Sequence, residues 1–107
     1  MKIAVFSIEA GDDVRGVIDK IFDLSVNKNV SYQIYSELYE SLNLNVHSLF
    51  NNHSDLDPKI DLMISIGGDG TFLRTLDIIR DKGIPVLGIN TGSCLLYTSP
   101  SPRDRVR

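Results

Sequence analysis

The residues best suited to chemistry form a glycine-rich segment, Gly67-Gly68-Asp69-Gly70-Thr71, between an apolar run and an amphipathic one. A strand that ends in such a segment and enters a helix presents backbone N–H groups and the positive helix end, which together favour phosphate. Glycines suit this position because a side chain would block the phosphate and because the turn is expected to need positive φ. The segment is therefore a candidate phosphate-binding loop.

Two charged residues extend the chemistry of this loop. Asp69 disfavours simple phosphate binding, but its carboxylate can accept a hydroxyl proton or contact a phosphate-bound Mg²⁺. Arg74 lies about one turn into the predicted helix and could reach a phosphate or ribose oxygen from the same end. The combination indicates phosphoryl transfer.

Other interpretations of the loop must be weighed. The Gly-x4-Gly-Lys-Ser/Thr motif does not occur, and Leu73 stands where a dinucleotide fingerprint requires its third glycine. The segment could also be a tight strand-to-helix turn with Asp69 or Thr71 as the helix cap. A nucleotide-binding module without catalysis is a further alternative, although such a module would gain from an uncharged residue in place of Asp69. The residues alone leave these alternatives open.

The flanking segments alternate between apolar runs typical of buried strands and runs with helical periodicity. A helix–strand sequence of this kind predicts right-handed crossovers and a parallel sheet. The expected fold class is α/β, an open parallel sheet with flanking helices. The helix after the loop is expected to face the core with Phe72, Leu73, Leu76 and Ile79. The predicted strands are 2–8, 30–34, 60–66 and 85–89, and the predicted helices are 12–26, 36–42 and 71–82.

Composition excludes several classes of protein. The chain has 107 residues, 42% hydrophobic and 23% charged, which is typical of a small globular domain. Its apolar runs are too short to span a membrane, and no signal peptide follows Met1, so we expect a cytoplasmic location. With a net charge of −3, the chain lacks the excess of basic residues that is typical of nucleic-acid-binding proteins. One cysteine excludes a disulfide framework, and no metal-binding cluster is expected.

The last residues differ in character from the rest. Residues 94–104 resemble the translation of a transposon-end sequencing adapter, and residues 94–107 show no periodicity. We expect residues 94–107 to be a non-native, disordered tail; a natural flexible terminus is the alternative. Without the three arginines and one aspartate of this tail, residues 1–93 carry a net charge of −5 instead of −3. Residues 1–93 are then part of an N-terminal α/β nucleotide-binding domain.

A family resemblance narrows the choice. The segment from Leu62 to Arg74, followed by Gly83-Ile84-Pro85-Val86-Leu87-Gly88-Ile89-Asn90-Thr91-Gly92, resembles the bacterial NAD kinases in both motifs and their separation. The start of the chain is also similar to the family's first strand, although Ser7 stands where glycine is usual. Diacylglycerol kinases and phosphofructokinases share the Gly-Gly-Asp-Gly turn, but the second motif is distinctive of NAD kinases.

The resemblance implies ATP-dependent phosphorylation of the adenosine ribose 2′-hydroxyl of NAD, giving NADP, with a divalent metal such as Mg²⁺. Asp69 matches the family's proton acceptor. Gly68, Asp69, Gly70 and Arg74 match positions that bind the nucleotide, and Gly67 helps to shape the loop. The family pattern stops after Gly92, where this chain has Ser93 in place of the family's Arg-Leu-Gly-Phe-Leu, so the all-β second domain is expected to be missing. The implied full-length protein is a homo-oligomer, and this chain is expected to be an inactive fragment of it.

Overall fold

A computed structural model describes residues 1–46, 48–91 and 96–99. The strands are β1 (Lys2–Phe6), β2 (Ser31–Tyr35), β3 (Leu49–Phe50), β4 (Leu62–Ile66), β5 (Val86–Ile89) and β6 (Leu96–Ser99). The helices are α1 (Asp12–Leu24), α2 (Ser36–Leu42) and α3 (Asp69–Ile79), with a 3₁₀ turn at His53–Asp55. The longest described helix, α1, has 13 residues, fewer than the about 20 that a bilayer-spanning helix needs, and no described helix qualifies as a membrane span.

The strands form one sheet in the order β3-β2-β1-β4-β5-β6. The first five run parallel, which confirms the predicted open parallel sheet of an α/β fold. From β1 the chain winds outward through β2 to β3, and then returns to place β4 on the other side of β1. The winding direction therefore reverses between β1 and β4.

The sixth strand lies where the sequence predicted a disordered tail. Leu96–Ser99 pairs antiparallel with β5, so over these four residues the structure differs from that prediction. An outermost parallel strand presents a row of unpaired backbone groups to which a following segment can add. The rest of the predicted tail, at 94–95 and 100–107, lies outside the described residues.

The helices cover the sheet on both faces. On one face, α1 and α2 bury Val14, Ile18, Leu38 and Leu42 against the strands. Val17, Ile21 and Phe22 pack around the same cluster, as the helical periodicity of the segment at 12–26 leads us to expect. On the other face, α3 and the segment around the 3₁₀ turn form a second core. Its members include Phe6, Phe50, Leu56, Met63, Ile78, Ile79 and Ile84.

Helix α3 differs from its prediction in its bounds and at one position of its buried face. It begins two residues before the predicted start and ends at Ile79, because Arg80 has φ 50° and ψ −114° and cannot continue the helix. Of the four residues predicted to face the core, Ile79 is fully buried and Phe72 and Leu76 pack against the second core, whereas Leu73 is 65% exposed. Thr71 and Thr75 are buried as well, and the Thr75 hydroxyl finds acceptors within the protein.

The segment at 51–59 is held by one buried side chain of β2. Gln33 Nε2 donates to the Leu49 carbonyl at 3.2 Å and to the Asp55 carbonyl at 2.9 Å. Gln33 Oε1 accepts from the Asp57 amide at 2.9 Å. This amide group therefore joins β3 and the C-terminal end of the 3₁₀ turn to β2.

Candidate active site

The site lies where the winding of the sheet reverses. In open α/β sheets, the crevice at the carboxyl ends of two such neighbouring strands is the usual ligand site, since the connections leave it in opposite directions. Here the neighbours are β1 and β4, paired from Ile3 and Leu62 to Phe6 and Ser65. The loop after β4 is the glycine-rich segment, so the topology brings the candidate phosphate-binding loop to this crevice.

Gly67 is required by the fold of the loop itself. Its φ is 147°, a conformation that side chains disfavour, and a Cβ atom added to it would lie 2.6 Å from Thr71 Oγ1. Its amide donates to the Ile89 carbonyl at 2.9 Å, which ties the loop to β5. Gly67 is therefore required by the turn from strand to helix.

Gly68 and Gly70 have a different role. Both are exposed, and a Cβ atom added to either would meet no atom within 4 Å. Gly68 is the N-terminal cap of α3, no side chain caps the helix, and the first helical hydrogen bond runs from the Phe72 amide to the Gly68 carbonyl at 3.1 Å. The amides of the first turn thus face open space at the positive end of the helix, as anion binding requires.

Asp69 is the first residue of α3 and is exposed. In the described part of the chain its carboxylate makes no hydrogen bond or ion pair, so it does not cap the helix. The prediction that Asp69 or Thr71 caps the helix is wrong, because Gly68 occupies that position. A free carboxylate beside unpaired amides is arranged to meet a hydroxyl group or a phosphate-bound cation.

Arg74 is exposed one turn further along α3 and lies near the end of β2. Loss of solvent raises the pKa of Tyr35, the Glu37 carboxylate adds to that rise by hydrogen bond and charge, and the Arg74 guanidinium opposes it. The Tyr35 hydroxyl donates to Glu37 Oε2 at 3.0 Å. Arg74 thus lies close enough to act on Tyr35, and the end of β2 forms one border of the crevice.

The ring of Tyr35 packs in the core, with centroids 4.7 Å from Phe6 and 5.8 Å from Phe50. Sequence analysis did not connect the hydroxyl of Tyr35, or Glu37, with Arg74. The strand order is the information that reveals this connection, because it places an acidic residue just after β2 beside the end of β1.

A cleft of about 230 Å³ lies at the same edge of the sheet, between the β1–α1 loop and α2. Three carboxylates border it, and neither Asp69 nor Arg74 does. It disfavours phosphate, which leaves the Gly67–Gly70 loop as the candidate for anion binding at this edge. The lining residues are Ser7, Ile8, Glu9, Ala10, Glu37, Leu38, Glu40 and Ser41.

Ser7, the departure from the family's usual glycine, is accommodated in the β1–α1 loop. It is buried at 2% exposure, its hydroxyl donates to the Glu9 carbonyl at 2.8 Å, and it accepts from the Glu9 amide at 3.2 Å. The hydroxyl therefore closes a local turn that leads from β1 towards α1.

Comparison with known proteins decides the family. Residues 10–106 match the model of the ATP-NAD kinase N-terminal domain. The chain belongs to the NAD kinase family. The NAD kinase of Flavobacterium psychrophilum is 38% identical over 97 residues, and that of Flavobacterium johnsoniae is 37% identical over 97 residues. Each alignment covers 86% of this chain and 33% of the relative, so the chain spans about a third of the NAD kinases it matches.

The fold of the family is also found in a solved structure. The crystal structure of yeast NADH kinase in complex with NADH matches with a TM-score of 0.66 and 17% sequence identity. The match covers 84% of this chain and 29% of the yeast chain. It supports the α/β architecture on which the NAD kinase loop is placed.

Proposed function

We propose that this chain is the nucleotide-binding N-terminal part of an enzyme that phosphorylates the adenosine ribose 2′-hydroxyl of NAD, giving NADP. The observation that carries the proposal is the loop after β4. Gly68 and Gly70 leave open space at the start of α3, where the first helix amides have no partner among the described residues. The exposed carboxylate of Asp69 lies between these two glycines. Membership of the NAD kinase family supports the choice of this reaction over lipid or sugar phosphorylation.

Each loop residue has a role in the proposed reaction. The first-turn amides bind a phosphate group of a nucleotide, and Gly68 and Gly70 give it access. Asp69 accepts the proton of the ribose hydroxyl as its oxygen attacks the terminal phosphorus of ATP, the bond from that phosphorus to the bridging oxygen breaks, and ADP leaves. Arg74 positions a phosphate or ribose oxygen at the border with β2.

A divalent cation such as Mg²⁺ is part of the proposal as a companion of ATP. No group of three or more His, Cys, Asp or Glu side chains in the described residues is placed to hold a metal ion. Mg²⁺ usually binds through one or two carboxylates together with substrate phosphates, and Asp69 can supply one such carboxylate. The ion would neutralise charge on the transferred phosphoryl group.

The wider setting follows from the same proposal. We infer ATP as the donor, a role in NADP biosynthesis, a cytoplasmic location, no nucleic-acid or membrane partner, and a homo-oligomeric full-length enzyme. We also infer that residues 1–93 are the natural domain and 94–107 an adapter-derived tail. Sequencing the parent DNA beyond the Gly92 codon tests the last point. An Arg-Leu-Gly-Phe continuation is expected, and the same tail in independently cloned DNA would contradict it.

The activity is tested with the complete enzyme that contains residues 1–93. We expect NADP formation from NAD with ATP and Mg²⁺, and none above background from the 107-residue chain. Phosphorylation of diacylglycerol or fructose 6-phosphate in place of NAD would favour the kinases that share the turn. Nucleotide binding without turnover of any acceptor would show a binding module instead.

A further inference from the structure

Two buried hydroxyl groups join α3 to β4 directly beneath the candidate site. Thr75 is fully buried, and its Oγ1 lies 2.8 Å from Ser65 Oγ and 2.8 Å from the Thr71 carbonyl oxygen. Ser65 is 2% exposed and is the residue before the last of β4. The pair is therefore a polar contact inside an otherwise apolar layer.

This contact is not needed to satisfy Thr75. A threonine inside a helix can bond the carbonyl four residues earlier, and the Thr71 carbonyl is in place to accept that bond. Two apolar side chains of the same shape would serve the stability of the core about equally well. The hydroxyl pair instead constrains geometry, because a hydrogen bond fixes the distance and angle between α3 and β4 more narrowly than apolar packing does.

The position of the pair connects it to the loop. Ser65 precedes Ile66 and Gly67 on one side of the turn, and Thr75 lies on the second turn of α3, which begins at Asp69. The other two restraints on the loop are the bond from the Gly67 amide to β5 and the Thr71 side chain over Gly67. Neither of these sets where α3 lies along β4.

We infer that the Thr75–Ser65 hydroxyl pair positions Asp69 for phosphoryl transfer, by fixing the first turn of α3 against the end of β4. This inference rests on the proposed function. Thr75 and Ser65 touch no reacting atom; they act through the helix that carries Asp69 and the phosphate-binding amides. A displacement of about 1 Å in such groups can reduce a rate by on the order of 10²-fold, so a small loosening of α3 has a measurable effect.

The test compares three variants in the complete enzyme. Ser65→Ala/Thr75→Val removes both hydroxyls and leaves no polar group unpaired, so the protein should fold normally. We expect its kcat to fall about tenfold with the KM values for NAD and ATP within about twofold of the parent. Thr75→Val alone should show a similar loss, and Thr75→Ser, which keeps the hydroxyl, should restore kcat to within about twofold of the parent.

A matched control separates positioning from general stability. Ile79→Val shortens a fully buried side chain of the same helix without touching the hydroxyl pair. We expect it to lower the melting temperature at least as much as the double variant while leaving kcat within twofold. An equal loss of kcat in both, or a double variant as active as the parent, would overturn the inference.

Hydrogen exchange on the 107-residue chain tests the same inference without any assay of activity. The reporting amides are Gly67, which donates to Ile89, and Phe72, which donates to Gly68. Both should exchange about tenfold faster in the double variant than in the parent, whereas the Met63 amide, bonded to the Pro85 carbonyl, should not change. Unchanged exchange at Gly67 and Phe72 would contradict the positioning role, whichever acceptor the enzyme phosphorylates.

Discussion

Gly67 and Thr71 compete for the same space, since a Cβ atom on Gly67 would approach Thr71 Oγ1 to 2.6 Å. The threonine is buried and fills the inside of the turn, so the glycine before it cannot carry a side chain. Gly68 and Gly70 face outward with no atom within 4 Å of an added Cβ. The loop therefore contains one glycine that the fold requires, Gly67. The other two, Gly68 and Gly70, lie beside open space that is available to a ligand.

The first prediction separates these two kinds of glycine. Gly67→Ala should lower the free energy of unfolding by about 2–4 kcal/mol, because it adds a disfavoured φ to the clash with Thr71. Gly70→Ala should change it by less than about 1 kcal/mol, because alanine suits a helix, yet weaken nucleotide binding at least tenfold. Urea denaturation and calorimetric titration measure the two effects. Equal stability losses in the two variants would contradict the distinction.

Asp69→Asn tests the proposed base. The change keeps the size and polarity of the side chain, so the folded state should be retained. The kcat of the complete enzyme should fall by about 10²–10⁴-fold with little change in NAD affinity, since a general base acts on the transition state. Steady-state kinetics with a binding measurement checks this. A variant that keeps nearly parental kcat would reduce Asp69 to a binding residue.

Arg74→Ala is expected to behave differently. A positioning cation acts on ground and transition states alike, so KM should rise more than kcat falls. The same variant should raise the pKa of Tyr35 further, because the Arg74 charge now opposes the rise caused by burial and Glu37. Ultraviolet titration of the tyrosines in Arg74→Ala, with Tyr35→Phe as the control that removes the signal, measures the shift. An unchanged pKa would show that Arg74 lies elsewhere.

Acid should weaken the fold through the loop around the 3₁₀ turn. Burial disfavours the charged form of Asp55, but the Asn52 and Asn51 amides outweigh it and lower its pKa. The hydrogen bond from Lys2 and the Lys59 amide lower the pKa of Asp57. Both folded-state pKa values lie below the unfolded ones, so their stabilisation is present above about pH 4 and is lost as the pH falls further.

Urea midpoints measured at neutral pH and near pH 3 check this expectation. The parent should lose stability over that interval, and Asp55→Asn/Asp57→Asn should lose less, because its two amides cannot be protonated there. An equal loss in the parent and the variant would assign the acid sensitivity to other groups.

Arg80→Gly should stabilise the chain. Arg80 has positive φ with negative ψ, and the Lys82 amide donates to the Ile79 carbonyl at 3.0 Å, which is the geometry of a turn that favours glycine in this position. Relief of strain exceeds the added freedom of the unfolded chain, for a net gain of about 1 kcal/mol. Thermal denaturation measures the gain, and Asp81→Gly, without positive φ, should be destabilising. Stability equal to the parent would show that Arg80 is unstrained.

Local patterns in the sequence predicted the fold class and the place of the glycine-rich loop in it. The apolar run of β4, the glycines and the periodicity of α1 are short-range features, and from them followed the α/β class and the position of the loop. The family resemblance, confirmed by the match to the NAD kinase model, rests on the same local motifs.

The parts that the sequence did not predict depend on long-range contacts. The buried face of α3 includes Thr71 and Thr75, and the Ser65 hydroxyl that lies 2.8 Å from Thr75 Oγ1 comes from a neighbouring strand. The connection between Arg74 and Tyr35 requires the strand order. The pairing of Leu96–Ser99 with β5 depends on an open sheet edge that no local pattern reveals.

The pairing of β1 with β4 also bears on when the site can form during folding. It joins residues about 60 positions apart, from Ile3 with Leu62 onward, whereas β1 with β2 and β4 with β5 join segments much closer in the chain. Contacts between distant residues close the largest loops and tend to form late. The crevice exists only once this pairing is complete. A nucleotide that binds there therefore stabilises the completed sheet and does not stabilise partly folded states that lack the β1–β4 pairing.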